Sequence, residues 1–276
     1  RDRKKSRGLG DVYKRQPYHL TNDQIDFFKK NGFIKLKNVF SPGAVLKLRA
    51  ELINRLKEEF KVDPDKEAHD RFLSLEMIWP ENPLLRAYVL SPRLGKISAN
   101  LLKVPAVRLY HDNVLAKQTG CGRTPWHFDD HHFPLDTNDV VTAWVPAQPI
   151  PLEMGPLSFA YPLDVHELVN AVEFEKTGTG YDRGVSDVFS KNNVSVNETP
   201  FELGEVSFHH NLNFHTASPN HTNRSRVALA NTYYRDGARV VNAPTMVSGD
   251  WQKFMPNVKP GDVAASPLNP ICWPVK

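Results

Sequence analysis

Apolar positions along the chain follow two different rhythms, and the change comes near residue 104. Before it the spacing is mostly helical. Thr21, with Gln24 three residues on, makes the capping box that opens a helix carrying Ile25 and Phe28. Asn31-Gly32 closes that helix, and residues 33–40 (FIKLKNVF) alternate as a strand does. Ser41-Pro42 starts a second helix, whose stripe is Val45, Leu46, Leu48, Leu52, Ile53, Leu56 and Phe60. A third helical stretch is expected from Pro83 to Leu102, interrupted near Ser91-Pro92. After residue 104, short runs rich in Val, Trp, Phe, Thr and Tyr alternate with Pro, Gly and Asn breaks. They fall at 106–116, 140–146, 157–161, 205–209 and 226–234. Short, evenly spaced strands after a helical start predict a mainly β protein, a β-sandwich or jelly roll with N-terminal α-helices.

Residues 171–200 show no strong period and read as a long loop or lid. No internal repeat and no second domain is evident, so residues 17–276 are expected to form one domain. Residues 1–16 (RDRKKSRGLGDVYKRQ) read as a non-native or disordered tail, because the stretch resembles translated adaptor sequence. The tail also dominates the charge. The formal net of +4 includes seven Lys/Arg and two acids within it, leaving 28 basic against 29 acidic residues elsewhere. A near-neutral domain gives no reason to expect a nucleic-acid partner.

With 40% hydrophobic and 24% charged residues the composition is that of an ordinary globular protein. No run approaches the roughly 20 apolar residues of a membrane helix, and the start lacks the apolar core of a secretory signal. Cys121 and Cys272 are too few for a disulfide framework and suit a reducing, cytoplasmic setting. The Asn-x-Ser/Thr matches at Asn193, Asn197, Asn220 and Asn223 are accordingly expected to stay unglycosylated.

The candidate chemistry lies in Thr124-Pro125-Trp126-His127-Phe128-Asp129, answered by Asn213-Phe214-His215 and, 11 residues further on, Arg226. Residues two apart on a strand share a face, so His127 and Asp129 are expected side by side. A second imidazole from a distant strand completes the facial set of two His and one carboxylate. That set leaves three positions open and is typical of non-heme Fe(II) oxygenases. Arg226 suits a carboxylate held by two parallel hydrogen bonds. An aspartate at 129, where a Gly or Ala would open a site for halide, points to hydroxylation-type chemistry. Two other readings use the same residues: a non-catalytic metal-binding jelly roll, and a zinc hydrolase with one bound water. Neither explains Arg226 as well.

Further segments complete the pattern: Val141-Thr142-Ala143-Trp144, Met154-Gly155-Pro156-Leu157-Ser158-Phe159 and Gly204-Glu205-Val206-Ser207-Phe208-His209-His210. With His215-Thr216-Ala217-Ser218-Pro219-Asn220 and Arg226, they resemble the phytanoyl-CoA dioxygenase family of Fe(II)/2-oxoglutarate oxygenases, over about residues 20–235. The resemblance implies a double-stranded β-helix core, iron on His127, Asp129 and His215, and 2-oxoglutarate held by Arg226. It places Trp144 and Thr142 in the co-substrate pocket and implies dioxygen as the third reactant. Two departures touch the pocket and not the metal set. Tyr161-Pro162-Leu163 stands where relatives often have Gly-Ser-His, and Ser218 falls three residues after His215 where many have serine at two.

From the residues alone, Gly155 in its turn allows close backbone approach. His111, Asn113 and Lys117 alternate along one strand and are candidate substrate contacts. So are His131 and His132, which either face the substrate mouth or form a solvated polar turn. His209 and His210 are further candidates for contact with substrate or co-substrate. The expected partner is a small molecule, free and not a coenzyme A thioester, since no basic cluster outside the tail suggests a nucleotide-phosphate site. Neither nucleic acid nor membrane is expected.

Overall fold

The first helix forms where its capping residues place it. In the computed structural model, which describes residues 18–66, 70–173, 180–242 and 249–275, helix α1 spans Asn22–Asn31. The Gln24 amide donates to Thr21 Oγ1 (3.2 Å) and the Thr21 amide donates to Gln24 Oε1 (2.9 Å), so the box is closed both ways. Gly32, at φ +75°, turns the chain into strand β1 (Phe33–Leu36); a Cβ there would lie 2.4 Å from Leu163 Cδ1. The expected tail at residues 1–16 lies outside the described residues.

The strand expected through Phe40 ends at Leu36. Asn38 takes a left-handed turn (φ 58°), and the amides of Val39 and Phe40 both donate to Gly204 O, at 3.0 and 3.3 Å. Their alternation records burial and not strand pairing. Helix α2 (Pro42–Phe60) is capped by Ser41 and buries Val45, Leu48, Leu52, Ile53 and Leu56, whereas Leu46 faces out at 61% exposure. The break at Ser91-Pro92 separates α3 (Pro83–Val89) from α4 (Pro92–Leu102). Between them in sequence and α2 runs an unanticipated strand, β2 (Phe72–Glu76), with mostly exposed side chains.

The remaining strands are β3 (Val107–Lys117), β4 (Thr124–His127), β5 (Val140–Pro146), β6 (Leu157–Tyr161), β7 (Ser195–Glu198), β8 (Val206–His210), β9 (His215–Ala217), β10 (Arg226–Arg235) and β11 (Ile271–Trp273). They form a large sheet in the order β1-β8-β5-β10-β3-β11, with β2 also on β3, and a small sheet β4-β9-β6-β7. Described strand pairs are antiparallel throughout. Period-2 alternation divides the large sheet. Val141, Ala143 and Val145 pack in the core that includes Leu48, Leu52, Leu85 and Leu94 of the helices, while Trp144 on the opposite face packs with Phe159 and Ala217 of the small sheet. This is the expected double-stranded β-helix.

Part of the segment expected to be an unpatterned loop is regular. Helix α5 (Val165–Val169) precedes it, and α6 spans Gly180–Asn192. Tyr181 and Val185 of α6 are buried with Phe214, with Val188, Phe189 and Trp126 packed against them. Positions 181, 185, 188 and 189 form a helical stripe, overlooked because Gly180 and Gly184 interleave it. The Tyr181 hydroxyl donates to Trp126 O (2.9 Å), fixing α6 to the back of β4.

Candidate metal and co-substrate site

His127 and His215 are register partners on β4 and β9, with ring centroids 4.2 Å apart. Asp129 arrives by a different route from the one its spacing suggested. Strand β4 stops at His127, and Asp129 has helical backbone angles (φ −89°, ψ −11°) at the head of the 3-10 turn Asp130–His132. Asn211 builds that turn. Its carbonyl accepts from the amides of Asp129 (2.8 Å) and Asp130 (3.1 Å), and its Nδ2 donates to Asp130 Oδ1 (2.6 Å). The carboxylate therefore reaches the histidines through a loop contact and not through strand alternation.

Whether these residues suit a divalent cation can be read from their other hydrogen bonds. His127 Nδ1 lies 2.8 Å from Pro125 O, and His215 Nδ1 lies 2.9 Å from Asn213 O. A carbonyl only accepts, so each Nδ1 carries the proton and each Nε2 offers a lone pair. Nε2 of His127 is 3.6 Å, and Nε2 of His215 3.9 Å, from Asp129 Oδ1. All three ligand atoms fall within 4.8 Å of one another, the one group with metal-ligand spacing among the described residues. Burial lowers both imidazoles to about 4, so they are neutral at pH 7. Burial alone would raise Asp129; His215, His209 and His127 together outweigh it and hold the carboxyl well below its ordinary range. The set fits Fe(II).

A cavity of about 440 Å³ opens beside this group. Exposed Phe72, Glu76, His132, Asp250 and Lys253 mark its mouth, and its walls run inward to Trp144 and Arg226, which are 1% and 2% exposed. Arg226 Nη1 donates to Gly155 O (2.7 Å), while its Nε is buried without a hydrogen-bond partner among the described residues. The guanidinium lies 5.3 Å from the Trp144 ring centroid, and no carboxylate among the described residues pairs with it. Burial lowers Arg226 to about 10, still charged at neutral pH. A buried, uncompensated cation is costly unless an anion arrives. Gly155 adopts φ +72° and would place a Cβ 2.1 Å from Ser218 O, the close approach its turn suggested.

The other expected contacts divide. Thr142 lines the cavity and shares a 3.0 Å hydrogen bond with Thr232 Oγ1. His111, Asn113 and His132 also line it. Lys117 does not; it is wholly buried, and its ammonium donates to Ala217 O (3.2 Å) and Ser218 O (2.9 Å). Burial, helped by Arg226, lowers Lys117 to about 7, and its role is to hold the end of β9. His131 also lies off the cavity, exposed and set against the Phe128 ring at 4.4 Å. His209 lines the wall, whereas His210 does not and instead approaches Phe28. Unanticipated wall residues include Ala230 and Thr232, on the same alternation as Arg226, and Phe254, whose ring stacks 4.6 Å from His111. The first two were readable by counting forward in twos from Arg226; Phe254 sits in a C-terminal stretch with no periodic signal.

Solved structures share this fold across nearly the whole chain. The non-heme alpha ketoglutarate dependent carbocyclase SnoK from nogalamycin biosynthesis aligns at TM-score 0.72 and 22% identity, covering 93% of this chain and 99% of SnoK. EctD from S. alaskensis, solved with 2-oxoglutarate and 5-hydroxyectoine, aligns at 0.66 and 15% identity, covering 93% of this chain and 92% of EctD. Fold and site together define a 2-oxoglutarate-dependent, non-heme iron dioxygenase. The peroxisomal phytanoyl-CoA dioxygenase of Mus musculus is 26% identical over 231 residues, 76% of this chain and 67% of that protein. The chain belongs to the phytanoyl-CoA dioxygenase family, whose sequence model matches residues 28–228.

Proposed function

We propose that this chain hydroxylates an unactivated C–H bond of a free small molecule, consuming 2-oxoglutarate and dioxygen and releasing succinate and CO2. His127, Asp129 and His215 hold Fe(II), and Arg226 takes the far carboxylate of 2-oxoglutarate. The observation that carries this reading is the buried Arg226 guanidinium, which has no anionic partner among the described residues and shares one cavity with the ligand group. Bound there, iron and 2-oxoglutarate supply the oxidising chemistry. The chain supplies the rest. Carbonyls of Pro125 and Asn213 fix the imidazole tautomers, Trp144 shields the arginine from water, and Thr142 with Thr232 offers hydroxyls along the wall. A zinc hydrolase or a purely structural metal site would leave Arg226 without purpose.

The walls also favour a substrate class. Tyr110, Phe133 and Phe254 supply apolar faces, while Glu76, Asn113 and Lys253 supply polar contacts. A cavity of about 440 Å³ shared with the co-substrate has no room to enclose a coenzyme A thioester, so a compact, partly polar molecule fits better. The free cysteines Cys121 and Cys272 are consistent with a cytoplasmic location, to be checked by fractionation. No helix among the described residues is long and apolar enough to cross a membrane.

Anaerobic addition of Fe(II) and then 2-oxoglutarate tests the reading. The expected result is a visible metal-to-ligand charge-transfer band and, once oxygen is admitted, succinate. Absence of the band from folded, iron-loaded protein would overturn it.

A further inference from the structure

Asp129 presents its two oxygens to different partners. Oδ1 faces the ligand imidazoles, while Oδ2 lies 3.4 Å from Nε2 of His209. His209 is 2% exposed, opposite Thr142 in the register of β8 and β5, with its ring 4.5 Å from that of His215. It does not join the three ligand atoms that lie within 4.8 Å of one another. Its Nδ1 is buried without a hydrogen-bond partner among the described residues. A proton on Nδ1 would be stranded, and the Nε2 lone pair would then confront a carboxylate oxygen. A proton on Nε2 meets an acceptor instead, so the ring donates from Nε2 toward Asp129.

We propose that His209 is a positioning residue that holds Asp129 Oδ2, so that Asp129 meets the metal through Oδ1 alone. The inference rests on the dioxygenase reading above. Its consequence is a coordination count. A carboxylate gripping the metal through both oxygens takes two positions; with two imidazoles and a chelating 2-oxo acid, six are filled and dioxygen has no place. Held by His209, the carboxylate would take one position and leave the sixth open. Partners of ligating carboxylates typically alter metal affinity or activity by about 10–100-fold when removed.

The test compares wild type, His209→Leu and His209→Gln, the last keeping an amide donor. Readouts are the Fe(II) dissociation constant without oxygen, the charge-transfer band with 2-oxoglutarate, and the melting temperature as a folding control. The expected result is a folded His209→Leu protein that binds Fe(II) about 10–100-fold more weakly and has a displaced band. His209→Gln should recover much of both. Wild-type affinity and band in folded His209→Leu would overturn the proposal. Should leucine fail to fold, a glutamine variant with Fe(II) affinity as low as His127→Ala overturns it as well. Complete loss of metal in His209→Leu, matching His127→Ala and unrestored by glutamine, would make His209 a fourth ligand and also overturn it. A wild type that binds Fe(II) but shows no band would instead defeat the dioxygenase reading, whatever the variants do.

Discussion

The two sheets contribute unlike things to one cavity. The small sheet holds the two histidines proposed as metal ligands on strands of four and three residues, β4 and β9, and relies on the Asn211 loop for the carboxylate. The large sheet holds Arg226, Trp144 and Thr142 on longer, almost wholly buried strands backed by helices. Short strands bounded by loops can bring three chemically different groups to one point. Long paired strands cannot bend that way, but they can keep a bare cation in place against its desolvation cost. On the proposed reading, metal capture and anion capture are separable tasks, given to separate layers.

The strongest attack on that separation is a pair of variants. His215→Ala should abolish Fe(II) binding, whereas Arg226→Ala should leave it intact and weaken 2-oxoglutarate by about 3 kcal/mol, the scale of truncating one partner of a buried charge pair. Anaerobic titrations of metal and then co-substrate measure both, and parallel loss in both variants would refute the division. A smaller effect is expected from acid. In metal-free protein the folded pKa of His215 is lowered from 6.5 to about 4, so between these values the unfolded chain binds more protons. Its contribution is fully present above pH 6.5 and is lost as pH falls toward 4, by about 3 kcal/mol at 1.36 kcal/mol per unit. Thermal melts across that range read the loss together with that of His127, His111 and His210, also lowered to about 4, and His215→Asn should reduce it.

The smallest expected effect lies where the sheets meet. Gly155→Ala places a Cβ against Ser218 O at φ +72°, at a cost of about 2 kcal/mol. Gly155 O also receives Arg226 Nη1, so co-substrate affinity should fall with the melting temperature. A melt unchanged from wild type would show that the junction is softer than its geometry.

Local chemistry was the most legible part of the sequence. Thr21 with Gln24, and Ser41-Pro42, mark helix starts because a cap is satisfied within one turn. Short runs of β-branched and aromatic residues between breaks marked β5 and β10, which are buried along nearly their whole length. Long-range contacts were hidden. Nothing beside Asp129 in the sequence reveals that Asn211 shapes its turn, so the strand argument reached a correct neighbour by an incorrect path. Lys117 follows the same alternation as Asn113, yet its ammonium is used by carbonyls of β9. Strand β2 escaped notice because few of its side chains are buried, leaving little apolar signal to read.

The depth of Arg226 has a kinetic corollary. A seat among the most buried walls of a cavity is blocked by whatever already occupies the mouth formed by Glu76, Asp250 and Lys253. On the proposed function, traffic would run as a queue: the dicarboxylate would enter before the substrate, and its spent remnant would depart last.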